Sequence, residues 1–222
     1  MKRENSLLII AGPSAVGKTT VAYQLIEKDP RFEFVRSVTT RASRGDAYDN
    51  EYIYISVDEF KSLIANGGVL EHTEYAGNFY GTPRAEVERI LSEGKIPLLV
   101  LDINGVGSLV KNASGLSPCG VYVWDYLDVI EKRLYDRFIG NNPTDDGKRR
   151  YEGRRAQNLK DFADITQMTE RFFAFIENSG TVKETADKVY LVFGEFCDGA
   201  ERDALGISNV AERLKASVAD KN

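Results

Sequence analysis

The segment AGPSAVGKTT, residues 11–20, has the residue types and spacing of a phosphate-binding loop. Two glycines let successive backbone N–H groups turn toward phosphate oxygens, and the N-terminus of a following helix adds partial positive charge. A lysine ammonium can reach the β- and γ-phosphates, and the next hydroxyl, Thr19, can ligate Mg²⁺. The segment therefore predicts a nucleoside triphosphate site with Mg²⁺. The residues expected to contact the nucleotide are Gly12, Pro13, Ser14, Ala15, Val16, Gly17, Lys18, Thr19 and Thr20.

A second group of polar residues follows in RSVTTRASRGDAYDNEYIYIS, residues 36–56. Arg41 and Arg44 stand three residues apart in a segment rich in Ser, Thr and Gly, with hydroxyl donors at Ser37 and Tyr52. Paired guanidinium groups bind phosphate or carboxylate groups well. Each residue taken alone is equally typical of a solvated surface, so their joint order carries the prediction. The later segment LEHTEYAGNFYGTPR adds Glu71, Tyr80 and Thr82.

The elements that must position these groups alternate between strand and helix patterns. This alternation predicts an α/β fold with helices flanking a parallel sheet. The expected strands cover 7–12, 96–103, 120–126 and 172–178. The expected helices cover 18–28, 57–68, 82–95, where Pro83 suits the first helical position, and 126–138.

Residues 138–155, FIGNNPTDDGKRRYEGRR, differ from the segments around them. They are rich in Gly, Asn, Asp and Arg and almost lack apolar residues, which predicts a mobile loop or lid. Near the C-terminus, NVAERLKASVADK has the spacing of an amphipathic helix and carries no recognisable chemistry.

Composition limits the class of protein. A chain of 222 residues with 42% apolar and 28% charged residues predicts one soluble domain with a sizeable core. The net charge of −5 gives no reason to expect nucleic acid as a partner. Cys119 and Cys197 match no metal-ligand spacing, which indicates free thiols in a reducing compartment. The apolar run Leu7–Ile10 is too short for a signal peptide or a membrane span, so we expect a cytoplasmic protein.

Taken in order, the motifs GPSAVGKT, SVTTRASRGD, GNFYGT and DING resemble those of guanylate kinases, the ATP:GMP phosphotransferases, over about residues 7–193. The resemblance implies a P-loop NTPase core, ATP as phosphoryl donor and GMP as acceptor. It implies that a carboxylate accepts from the guanine N1–H and amino group. The implied GMP phosphate contacts are Arg41, Arg44, Tyr52 and Tyr80, and the implied base contacts are Ser37, Glu71, Thr82 and Asp102.

The resemblance also implies a division of the chain. Residues 1–193 form the kinase-like domain and 194–222 a C-terminal extension. Within the domain we expect a core (about 1–36, 89–130 and 157–193), a GMP-binding arm (about 37–88) and a lid (about 131–156).

The sequence departs from the family pattern in two regions. Val100 replaces the usual acidic residue two positions before Asp102, and Asn104 replaces a glutamine. The lid keeps the arginines of the motif RLxxR but lacks the Gly-Thr-Glu that normally follows. The residues expected to act on the transferring phosphoryl group are Lys18, Arg133, Arg137 and Arg155, the last being preferred over Arg154. Asn178 matches a family asparagine near the adenine.

Other functions remain open to the sequence. A kinase of the same build with a different acceptor is one, prompted by the altered motifs. A non-catalytic phosphopeptide-binding module is another, although such modules usually have a damaged phosphate loop. His72, the only histidine, could act as a general base, but phosphoryl transfer depends mainly on positioning and charge neutralisation. We expect a monomer or homodimer.

Overall fold

The computed structural model describes residues 2–43, 52–75, 77–140 and 143–219. In these residues the larger sheet has five strands, all parallel, in the order β2-β7-β1-β8-β9. This confirms the predicted α/β fold and its four expected strands, and adds β2, which is too short to show a pattern. The strands are β1 (Ser6–Ala11), β2 (Phe32–Phe34), β7 (Ile96–Val100), β8 (Ser117–Trp124) and β9 (Ala174–Glu177).

Helices flank this sheet. Because the central strand β1 is buried on both faces, it is a continuous apolar run rather than an alternating one. Within the described residues, no helix combines the length and apolar character needed to cross a bilayer. The helices are α1 (Lys18–Lys28), α2 (Val57–Ala65), α3 (Arg84–Ser92), α4 (Ile103–Asn112), α5 (Leu127–Phe138), α6 (Asp145–Asp164), α7 (Val182–Cys197) and α8 (Ala204–Ala219).

A smaller sheet of four strands, in the order β4-β3-β6-β5, is inserted between β2 and β7. Successive side chains of a strand point to opposite faces of a sheet. One face carries Val38 and Phe79, which pack with Phe60 of α2 in a separate small core. The other face carries polar residues described below. The strands are β3 (Ser37–Thr39), β4 (Tyr52–Tyr54), β5 (Val69–Tyr75) and β6 (Asn78–Pro83).

The smaller sheet is fastened to the larger one where the chain passes between them. Arg36 lies between β2 and β3, and the buried Glu86 lies on α3, just after β6. Nε of Arg36 donates to Oε1 of Glu86 over 2.7 Å, and Nε of Arg89 donates to its Oε2 over 3.1 Å. These ion pairs fix the base of the smaller sheet against the core.

The loop prediction for residues 138–155 is wrong over most of its length, because α6 begins at Asp145 and continues for 20 residues. The Thr144 hydroxyl caps its first turn by accepting from the Gly147 N–H, and acidic residues follow at the positively polarised helix start. Asp146 also pairs with Arg150 over 2.7 Å, one helical turn later. Local pairing thus supports a helix that has few apolar residues.

Two smaller findings concern helix ends. Pro83 is the residue before α3, with extended backbone, and not its first helical residue. The amphipathic helix predicted near the C-terminus is confirmed as α8, whose buried side chains Ile207, Ala211, Leu214 and Val218 recur at helical spacing. This helix packs mainly against α6. Both cysteines are free thiols.

Candidate nucleotide-binding site

The carboxyl ends of the parallel strands meet at one edge of the large sheet. Leu101 follows β7 and donates its N–H to the Ile10 carbonyl of β1, and Asn178 follows β9 and donates to the Trp124 carbonyl of β8. In open parallel sheets this edge is where ligands bind. The phosphate loop (residues 12–19) leaves β1 at this edge and enters α1.

The backbone of the phosphate loop explains its glycines. Gly12 has φ +148°, and a Cβ placed there would lie 2.0 Å from the Val123 carbonyl oxygen, so no other residue fits. Gly17 has φ +101° and precedes the first turn of α1. Ala15 also has a left-handed φ of +68°. The loop therefore contains one strained alanine.

The Lys18 ammonium donates hydrogen bonds to the carbonyl oxygens of Gly12 (2.8 Å) and Pro13 (2.9 Å) in the loop. Burial lowers the pKa of the Lys18 ammonium to about 8, and the nearby Asp161 carboxylate opposes this shift. The loop borders a cleft of about 290 Å³ that also takes in the exposed Thr19 and, on α5, the arginines at 133 and 137. A cationic cleft beside a helix N-terminus suits a polyphosphate.

The arginines predicted to belong to a lid differ in what they contact. Arg133 and Arg137 both line the cleft, and Nη2 of Arg133 lies 3.0 Å from Oδ2 of the buried Asp125. Arg154 of α6 is close enough for its charge to lower the pKa of Lys18. By contrast, Nε of Arg155 donates to Glu131 of α5 over 2.8 Å. Arg155 thus pairs within the protein, whereas the charge of Arg154 acts on Lys18; the preference for Arg155 at the phosphates stays a prediction.

Two asparagines hold the phosphate loop from within the protein. Asn178 is buried, donates to the Val16 carbonyl over 2.7 Å and accepts from the Thr185 hydroxyl over 2.6 Å. The Asn178 amide thus makes its hydrogen bonds to Val16 and Thr185 within the protein. These contacts support the loop and do not favour the predicted contact with adenine. Asn158 of α6 makes two hydrogen bonds to the backbone of Ser14. Sequence reasoning missed Asn158, since nothing local distinguishes it from other polar residues of α6.

The polar face of the smaller sheet gathers most of the predicted acceptor residues. Strand register pairs Ser37 with Tyr52, Thr39 with Tyr80, and Glu71 with Thr82. Residues paired across strands, and those two apart along a strand, share a face. The polar face therefore carries Ser37, Thr39, Tyr52, Tyr54, Glu71, Tyr80 and Thr82.

Arg41 lies among tyrosines at this face. Its guanidinium carbon is 5.2 Å from the ring centroid of Tyr52, its Nη2 donates to the Tyr54 hydroxyl over 3.2 Å, and the rings of Tyr52 and Tyr80 are 6.2 Å apart. A guanidinium surrounded by phenol groups is a suitable donor set for a phosphate. Tyr54 was missed, although its position two residues after Tyr52 in YIY could have indicated a shared face. Arg44 lies outside the described residues.

A pair of carboxylates from the two sheets forms the other part of the site. The buried Glu71 accepts from the Thr82 hydroxyl over 2.7 Å at Oε1. Asp102 caps α4 by accepting from the N–H groups of Asn104 (2.9 Å) and Gly105 (2.7 Å). Oε2 of Glu71 and Oδ1 of Asp102 both lie 3.5 Å from the point where a Cβ on Gly105 would stand. Burial, and then the Asp102 charge, raise the pKa of Glu71.

His72 lies away from this chemistry. It pairs in register with Gly81 on the opposite face of the smaller sheet, and its ring is 6.3 Å from that of Phe60. Its position gives no support to a general-base role.

Comparison with known proteins gives the family. The family model described as guanylate kinase matches residues 4–189. The chain belongs to the guanylate kinase family. The match ends before α8 begins.

Individual guanylate kinases are similar over much of the chain. A guanylate kinase from Lactobacillus johnsonii is 40% identical over 150 residues, covering 67% of this chain and 71% of the relative. One from Lactococcus lactis is 38% identical over 141 residues, covering 63% and 66%. The crystal structure of guanylate kinase from Anaplasma phagocytophilum has a TM-score of 0.59 and 25% identity, covering 88% of this chain and 87% of that one. The predicted family and its P-loop kinase fold are therefore confirmed.

Proposed function

We propose that this chain transfers the γ-phosphoryl group of ATP to GMP, giving ADP and GDP. The proposal rests above all on the Glu71 and Asp102 carboxylates, which both border the Cβ position of Gly105 at the junction of the two sheets. The buried Glu71 carboxylate is satisfied by guanine, which offers N1–H and an amino group as adjacent donors. Adenine presents an acceptor at N1 and leaves the carboxylate unpaired, at a large cost in binding free energy.

The donor nucleotide is proposed to bind at the phosphate loop. Backbone N–H groups of the loop and the N-terminus of α1 would hold the phosphates. Lys18 would break its hydrogen bonds to the carbonyls of Gly12 and Pro13 and pair with the phosphates instead. Arg133, Arg137 and Arg154 would neutralise charge on the transferring group from the lid side. Closing the lid would exclude water, which competes as an acceptor.

The acceptor phosphate is proposed to bind between Arg41 and the tyrosines at 52, 54 and 80, with Arg44 as a further predicted contact. A fixed acceptor phosphate lowers the barrier by holding the attacking oxygen in line with the γ-phosphate. We propose residues 37–88 as the arm that carries this site and residues 131–156 as the lid.

The residues of the donor site are compatible with Mg²⁺. This ion usually keeps several waters and takes few protein ligands together with substrate phosphates. Thr19 offers an exposed hydroxyl at the start of α1, and the described part of the chain has no group of three His, Cys, Asp or Glu side chains able to hold a metal by itself. Mg²⁺ bound there with ATP would supply charge neutralisation at the β- and γ-phosphates.

A panel of nucleoside monophosphates tests the proposal. The purified chain is incubated with ATP, Mg²⁺ and each of GMP, dGMP, AMP and dTMP, and ADP formation is followed. We expect the highest kcat/KM for GMP, with dGMP also accepted. Faster turnover of AMP or dTMP would indicate a kinase with another acceptor. Binding of GMP and ATP without turnover would indicate a non-catalytic module.

A further inference from the structure

Asn158 makes hydrogen bonds to both backbone groups of Ser14 in the phosphate loop. It is 2% exposed, although it belongs to a helix with few buried residues. Its Oδ1 accepts from the Ser14 N–H over 2.7 Å, and its Nδ2 donates to the Ser14 carbonyl over 3.1 Å. Both polar backbone groups of Ser14 are thus held by one side chain from α6.

These bonds determine where the neighbouring N–H groups point. In a trans peptide unit the C=O and the following N–H point in opposite directions. Since the Ser14 carbonyl is held toward Asn158, the N–H of Ala15 is directed away from that side chain. Asn178 holds the Val16 carbonyl over 2.7 Å in the same way, so the N–H of Gly17 is directed away from it. Both asparagines lie on the protein side of the loop, and both N–H groups therefore face outward.

The strained backbone of Ala15 gives these contacts a further role. A non-glycine residue at φ +68° is held there only when its surroundings impose it. The hydrogen bond from Asn158 to the Ser14 carbonyl fixes the peptide unit before Ala15. The Val16 N–H, which donates to the Pro13 carbonyl, belongs to the unit after Ala15. The bond from Asn178 to the Val16 carbonyl fixes the next unit along the loop. They keep the loop in the conformation that makes a concave set of donors, which is the form that binds phosphate oxygens.

We infer that Asn158 is a positioning residue for the donor nucleotide. Together with Asn178, it directs the N–H groups of Ala15 and Gly17 at the triphosphate. Because Asn158 belongs to α6, which also carries Arg154, the same helix sets both the loop and a cation of the lid. Movement of α6 would then change the affinity of the loop for phosphate. The inference depends on the proposed function only in that the loop binds ATP.

The test compares two variants of α6. Asn158→Leu keeps a side chain of similar size and removes both hydrogen bonds to Ser14. Phe162→Leu is the matched control, because Phe162 is fully buried on the same helix and makes no hydrogen bond to the loop. The measurements are the Kd of ADP by calorimetry, the KM values of ATP and GMP, and Tm.

We expect Asn158→Leu to raise the Kd of ADP and the KM of ATP by about ten-fold or more, the loss expected for one hydrogen bond to a charged group. The KM of GMP should change by less than about two-fold, and Phe162→Leu should lower Tm without this pattern. A lower Tm for Asn158→Leu with unchanged ADP affinity would show a merely structural residue and overturn the inference.

A measurement on the unaltered chain covers the case in which Asn158→Leu does not fold. On addition of ADP, the amide NMR signals of Ala15 and Gly17 should move strongly and become protected from exchange. Unmoved signals at both residues would refute the inference. If ADP binds as expected but GMP is not phosphorylated, the proposed function fails while the positioning role of Asn158 stands.

Discussion

Replacing Glu71 by glutamine tests two expected effects of this buried carboxylate: it selects guanine, and it lowers the stability of the fold. The exchange keeps the shape of the side chain and replaces one oxygen by an NH₂ group. The Thr82 hydroxyl donates to Oε1 over 2.7 Å, so the amide oxygen is expected at Oε1 and the NH₂ group at the position of Oε2. Oε2 is the atom that borders Gly105 with Asp102, where the guanine edge is proposed to lie.

The expected loss of activity follows from the donors left unpaired. Guanine directs N1–H and its amino group at this carboxylate, and each hydrogen bond to a charged group contributes about 1.5–3 kcal/mol. The glutamine removes the charge from both bonds and opposes one guanine donor with its own NH₂ group, at a cost of about 3–6 kcal/mol, or about 10²–10⁴-fold in kcat/KM for GMP. AMP should lose little, because the amide NH₂ can donate to adenine N1. The preference for GMP over AMP should therefore fall by at least about 100-fold.

The same variant should be more stable than the parent. Burial and the Asp102 charge raise the pKa of Glu71, which means that the folded state disfavours the ionised form present at neutral pH. A neutral amide removes this cost. A gain on the order of 1 kcal/mol would raise Tm by about 2–4 °C for a chain of this size. Such a trade of stability for specificity is common at binding sites.

The assay follows ADP formation with GMP and AMP, and Tm is measured on the same samples. Glu74→Gln is the control, because Glu74 is an exposed carboxylate on the same strand, paired with Phe79 on the other face. Glu74→Gln should change neither the preference for GMP over AMP nor Tm. If Glu71→Gln keeps the GMP preference, or lowers Tm, the role given to this carboxylate is wrong.

Further predictions concern the donor loop, the acceptor phosphate and pH. Lys18→Ala should lower kcat by about 10³-fold or more without unfolding the chain, since a buried ammonium is lost, and single-turnover assays with GMP check this. Arg41→Ala should raise the KM of GMP by about 10–100-fold and leave that of ATP unchanged; equal effects on both would place Arg41 elsewhere. Ala15→Gly should stabilise the chain by about 1 kcal/mol in urea unfolding, because φ +68° costs alanine more than glycine; a lower midpoint would contradict the strain. Finally, kcat/KM for GMP should fall on acidification at a higher pH than for an ordinary glutamate, because the raised pKa makes Glu71 take up its proton earlier. Glu71→Gln should lack this acid limb in a pH profile.

The sequence was most informative where structure depends on neighbouring residues. The buried run of β1, the glycines of the loop that precede α1 and the apolar spacing of α8 are local patterns, and each predicted its element. The ordered motifs also indicated the family. The strands of the smaller sheet are short, and their shared polar face depends on pairing between segments far apart in the chain.

Only the tertiary structure decided how distant side chains meet. Residues 145–155 lack an apolar stripe and were expected to form a loop, but a Thr144 cap, ion pairs and packing against α5 and α8 make them helical. That helix brings the charge of Arg154 near Lys18, pairs Arg155 with Glu131, and brings Asn158 to Ser14. Asn158 and Ser14 are 144 residues apart in the sequence, and no local pattern can encode a contact that forms only when α6 packs on the core.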